Sequence, residues 1–177
     1  MKAHAKLTFS LLLVALLATA CHRLSREDKI SAHDDASFDQ WISDHKTVLT
    51  ATDVPELNDA RQQIRYHVMQ QHPGMMSDDF AAAVYGEIDG KTAHDLIVNG
   101  YEIQSARLKA EIANYEPDLK QFKSHDPSQL GSEQKKYVTE SIAKLERLVR
   151  EHQQELDRVT KRLDELKQTA GGPGSHN

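Results

Sequence analysis

The chain of 177 residues has a single cysteine, Cys21, so a thiol here has no partner within the chain. It has no block of basic residues, and its formal charge is −5, which argues against nucleic acid and against electrostatic docking on anionic lipid. No run alternates apolar and polar residues in the manner of a half-buried strand. Catalytic signatures are missing as well. There is no Gly-Xaa-Ser-Xaa-Gly elbow and no His-Glu-Xaa-Xaa-His pair. Gly90-Lys91-Thr92 matches the end of a phosphate-binding loop, but the leading glycine is absent and no strand precedes it. His33-Asp34-Asp35 are adjacent, and three neighbours do not converge on one ion without a fold behind them. The remaining histidines, among them His45, His67, His94 and His125, lack ligand spacing. The expectation is a protein without metal or cofactor, and not an enzyme.

What is present begins at the N-terminus. Lys2 and Lys6 precede an apolar run from Leu7 to Leu17, followed by the small residues Ala18, Thr19 and Ala20 and then Cys21. These are the three parts of a secretory signal. Leu7 to Ala20 is 14 residues, short of the roughly 20 that span a bilayer. Ordinary secretion would leave a free thiol in an oxidising compartment, whereas lipidation consumes it. The segment resembles bacterial lipoprotein signals, and that resemblance implies acylation of Cys21 as residue one of the mature chain. His22, where an Asp would retain the protein at the inner membrane, implies the outer membrane facing the periplasm if the cell is Gram-negative. Removing residues 1–20 leaves 157 residues and moves the charge to −7.

The mature chain reads as all-α. Residues 21–36 are polar and aperiodic, the pattern of a solvated tether. Ser37 with Gln40 has capping-box spacing, and Phe38, Trp41, Ile42, Val48 and Leu49 follow at helical steps. Asp53 and Pro55 open a second helix with the stripe Leu57, Ala60, Ile64 and Val68, which His72-Pro73-Gly74 stops. Ser77 starts a third, ended by Asp89-Gly90. Residues 37–91 thus form a small helical domain. Residues 92–168 follow as two long helices, from Thr92 and from Ser132, joined by a loop around Asp126 to Leu130. Tyr101, Ser105, Leu108, Ile112, Tyr115, Leu119 and Phe122 make one heptad seam. Val138, Ile142, Leu145, Val149, His152, Leu156, Val159, Leu163 and Leu166 make the other. Matched lengths predict an antiparallel coiled-coil hairpin. Residues 169–177, with Gly171-Gly172-Pro173-Gly174, form a tail that cannot pack.

One seam per helix leaves apolar surface beside it, most visibly Leu148. Leu148, Glu155 and Arg162 flank the seam and are the candidate residues for contact with a protein partner or a second copy. His152 occupies a seam position and reads either as a residue fixing register or as a pH-sensitive one. The order of helices over residues 37–100, with Arg61 in the second and the run Gly90-Lys91-Thr92-Ala93, resembles a family of short bacterial lipoproteins that end in a Gly-Lys-Thr-Ala motif and a helix. That family carries no assigned activity, so the resemblance implies a helical fold and a lipid anchor. The expected function is a lipid-anchored envelope protein acting as a coiled-coil binding or scaffold component. The alternative is a small-ligand or ion carrier with a pocket near Trp41 and Tyr85.

Overall fold

The structure, a computed structural model, describes residues 25–170; Cys21 and the C-terminal segment 171–177 lie outside them. The described chain is all-helical. Its five α-helices are α1 (Asp35–His45), α2 (Asp53–Gln71), α3 (Ser77–Ile88), α4 (Ala93–Lys123) and α5 (Ser132–Ala170), with a 3-10 turn at Pro127–Gln129 between the last two.

Residues 25–36 are not a tether. Ile30 and Ala32 are buried among Phe38, Trp41, Val84 and Ile88. The Ile30 N–H donates to the Lys91 carbonyl and the Gly90 N–H donates back to the Ile30 carbonyl, both at 2.8 Å. The Ala32 N–H reaches Asp89 Oδ1 at 3.1 Å, and the Trp41 indole N–H donates to the Lys29 carbonyl at 3.1 Å. The segment has only two core residues, too few to produce a periodic pattern, yet its backbone groups find the partners that burial requires. Gly90 sits at φ +77°, a conformation that lets the Asp89-Gly90-Lys91 turn present its backbone to this arm. The Asp89-Gly90-Lys91 turn thus serves as a cradle for the arm. Thr92 then caps α4, its hydroxyl accepting from the Asp95 N–H at 3.1 Å.

The first cap also moves. Asp34, not Ser37, is the N-cap of α1: its carboxylate accepts from the Ser37 N–H at 2.7 Å while Ser37 Oγ accepts from the Asp34 N–H at 3.0 Å. Ser37 takes the third position of that box, where glutamate or glutamine is usual. Fixing Ala32 places Asp34 where the helix must start.

In the base, Leu57, Ala60, Ile64 and Val68 of α2 pack with Leu96 and Ile97 of α4 as their spacing predicts. The two helices cross closely at Gly100, where an added Cβ would lie 2.5 Å from Ala60 Cα. Asp53 is buried at the start of α2, and its carboxylate takes the Thr50 N–H at 2.7 Å and the Arg26 guanidinium at 2.7 Å. A buried carboxylate needs such partners.

Beyond the base only α4 and α5 continue. Pro117 lies inside α4. Contacts between the two helices pair Glu102 with Lys167, Gln104 with Glu155, Glu111 with His152 and Lys123 with Glu146. Positions that ascend along α4 descend along α5.

Candidate binding surface

The distal part of the α4 and α5 pair is built differently from the base. Leu108 of α4 and Leu156, Val159 and Leu166 of α5 are buried. Between Lys109 and Glu155 no residue whose side chain is described reaches that state. Ile112, Tyr115, Leu119, Phe122, Val138, Ile142, Leu145 and Val149 are all partly exposed. Two helices alone have no third element to close the sides of their seam.

Polar groups stitch this pair across the gap. His152 directs Nδ1 at the Leu148 carbonyl at 2.7 Å and Nε2 at Glu111 Oε2 at 2.9 Å, with its ring edge-on to Tyr115. Both nitrogens face acceptors, and the ring fills both when each carries a proton. Glu111 is also held by Arg107 at 2.9 Å. The Lys123 ammonium lies 2.8 Å from Glu146 and holds that carboxyl below its ordinary value.

The three residues expected to meet a partner have different fates. Arg162 is held inside the chain: it clasps Glu56 of α2 with Nε at 2.8 Å and Nη2 at 3.0 Å, and reaches Glu165 at 3.3 Å. The Glu56 carboxylate raises the Arg162 guanidinium further above its ordinary value. Glu155 accepts from Gln104 Nε2 at 3.2 Å and pairs with Arg158. Leu148 is half-buried on the same side of α5 as Arg162. A heptad count places Glu155 and Arg162 beside the seam, but it does not show that α2 lies against that side. The Glu56 carboxylate that claims Arg162 is 106 residues away in sequence. The candidate lipidation site Cys21 lies outside the described residues.

The loop end of the pair forms an open groove of about 450 Å³ lined by Phe122, His125, Leu130, Tyr137 and Val138. Tyr137 is 63% exposed while its ring meets Phe122 edge-on. A second groove, of about 420 Å³, runs between α2 and α4 along Tyr66, Gln70, Ile103 and Ala110.

Trp41 and Tyr85, expected to line a ligand pocket, are buried in the core of the base. The Trp41 ring stacks on His45 at 4.1 Å, and Ile30 packs in the same cluster. The Tyr85 hydroxyl donates to Asp35, whose carboxylate also takes Arg65 at 3.1 Å and Arg61 at 3.2 Å. Burial, followed by the bond to Asp35, pushes the Tyr85 phenol up to about 12. The same bond, helped by Arg65, holds the Asp35 carboxyl below its ordinary value. Arg61 further binds Asp39 at 3.0 Å and stacks over Phe38, so these charges are answered within the fold. Among the described residues, no group of three or more His, Cys, Asp or Glu side chains converges to hold a metal ion. Among them, too, no helix is long and apolar enough to cross a membrane.

No protein-family model, curated protein or solved structure matches the chain.

Proposed function

We propose that the protein is a lipid-anchored component of the bacterial envelope, and that α4 and α5 form an antiparallel coiled-coil hairpin whose distal half binds protein. It works as a binding or scaffold element and not as an enzyme. The observation that carries this reading is the contrast in burial: the base closes its own core, while the distal pair keeps its apolar seam partly exposed from Ile112 to Phe122 on α4 and from Val138 to Val149 on α5. The reversed order of the contacts between α4 and α5 supports the hairpin. The Cys21 signal and the Gly-Lys-Thr-Ala resemblance support the anchor.

The docked arm alters how such an anchor would act. Arg26 is already bound to Asp53, so five residue steps separate the folded base from Cys21. Fully extended, that is about 17 Å. A lipidated Cys21 holds the base close to the bilayer and not at the end of a long leash. The test is mass spectrometry of membrane-fraction protein beside a Cys21→Ser variant, with crosslinking in whole cells. Acylated Cys21, together with crosslinks that depend on the distal helices, is the expected result. An unmodified Cys21 removes the anchor, and crosslinks confined to the base remove the hairpin as the binding surface.

A further inference from the structure

The exposed side of α5 carries a two-fold pattern. Arg162 meets Glu56, so α2 covers that side of α5 near its C-terminal end. Farther along, α2 has moved onto the back of α4, where the Tyr66 ring lies under the Arg107 guanidinium and Gln70 shares a groove with Ala110. Leu148 lies two heptads before Arg162, about 21 Å along the same side and past the reach of that cover. One stripe farther out, Tyr137, Lys144, Glu151 and Arg158 recur every seven residues, and all four are exposed. Reversing the helix about the point midway between Arg147 and Leu148 exchanges Lys144 with Glu151 and Tyr137 with Arg158.

We propose that this face docks a second copy of the chain, with the two α5 helices antiparallel and the two-fold axis beside Leu148, midway between positions 147 and 148. An isologous contact requires a surface complementary to itself. Here the two Leu148 side chains lie side by side, offset by about 1.5 Å along the helix, each Lys144 meets Glu151 of the other chain, and each Arg158 lies over the other Tyr137 ring, a cation on an aromatic face. The overlap from Tyr137 to Arg158 has four Lys or Arg against five Asp or Glu, so each copy brings a net charge of only −1 to the contact. Glu151 is loosely held, 3.8 Å from Arg147 with both side chains largely exposed, and such pairs are worth little. Arg158 pairs with Glu155 and the Tyr137 ring meets Phe122, so these two side chains share or exchange partners in the dimer. The overlap, Tyr137 to Arg158, is about 32 Å long. It ends one turn before Arg162, where α2 takes over. This inference rests on the distal pair as a binding surface and is independent of the anchor.

The test uses the full chain in excess detergent with Cys21→Ser, so that an introduced cysteine is the only thiol. Under mild oxidation Leu148→Cys is expected to crosslink copy to copy. Arg147→Cys, turned by about 100° on the helix, should not. With Leu148 intact, Glu151→Lys should weaken dimerisation in sedimentation by about tenfold, and Lys144→Glu added to it should restore the dimer. Equal crosslinking at 147 and 148, or a charge swap without rescue, overturns the proposal. A monomeric purified chain whose crosslinks in cells still require the distal pair overturns the second copy and leaves the binding reading intact. Loss of both overturns both.

Discussion

Tyr85 and Tyr101 are the phenols that the fold holds hardest. Burial pushes each up to about 12; a bond to Asp35 adds to this for Tyr85, and the charge of Glu56 adds to it for Tyr101. An unfolded tyrosine ionises near 10. The neutral phenols therefore contribute stability fully below about 10, and that contribution is lost as pH rises towards 12. Alkaline titration followed by phenolate absorbance should show a late step to which both groups contribute. Tyr85→Phe and Tyr101→Phe should each remove one phenol from it and flatten the stability loss over the same window. A late step of unchanged size in both variants would refute the assignment. The residues responsible show how far sequence reads at this scale. Tyr101 was legible as a seam residue. Its pairing with Glu56 was not, because the contact depends on where α2 crosses, and no periodicity encodes a crossing point.

The elements divide along the same line. Helices α2 to α5 follow from stripes and stops that repeat often enough to be read; Thr92 caps α4 through the Asp95 N–H, whereas Thr52 before α2 and Met76 before α3 make no side-chain cap bond. The arm before α1 does not follow in this way, since Ile30 and Ala32 are its only core residues and the rest of its fixing is backbone. Ile30 is 1% exposed, so Ile30→Ala should cost about 2–4 kcal/mol from lost burial and the space left behind. The exposed Glu27→Ala should stay within about 0.5 kcal/mol. Urea unfolding reads the difference as a lower midpoint with unchanged slope. A tether would make both substitutions silent. The arm also decides how a membrane anchor would be felt, because a docked Ile30 transmits the position of the N-terminus to α3, α4 and the Asp89-Gly90-Lys91 turn.

At the scale of the whole molecule, stability is expected to be graded along α4 and α5. Local opening costs most where apolar side chains are buried together and least where backbone bonds stand exposed with few packed neighbours. Leu57, Ile64, Leu96, Ile97 and Val159 belong to the first kind, and the stretch from Lys109 through the loop to Glu155 belongs to the second. Amide hydrogen exchange should therefore be slowest in α2, in the first four turns of α4 and in residues 156–166 of α5. It should be faster by orders of magnitude towards the loop, although all of these amides lie in continuous helix. Uniform protection along both long helices in a dilute monomer would contradict the grading. The same measurement separates an intrinsic property from a covered surface. Raising the protein concentration should slow exchange between Tyr137 and Arg158 and leave α2 unchanged if a second copy binds there, since a ligand protects the segment whose opening it forbids. Protection that rises first at the Phe122 and Leu130 groove would instead place the contact at the loop end, where Leu148 has no part.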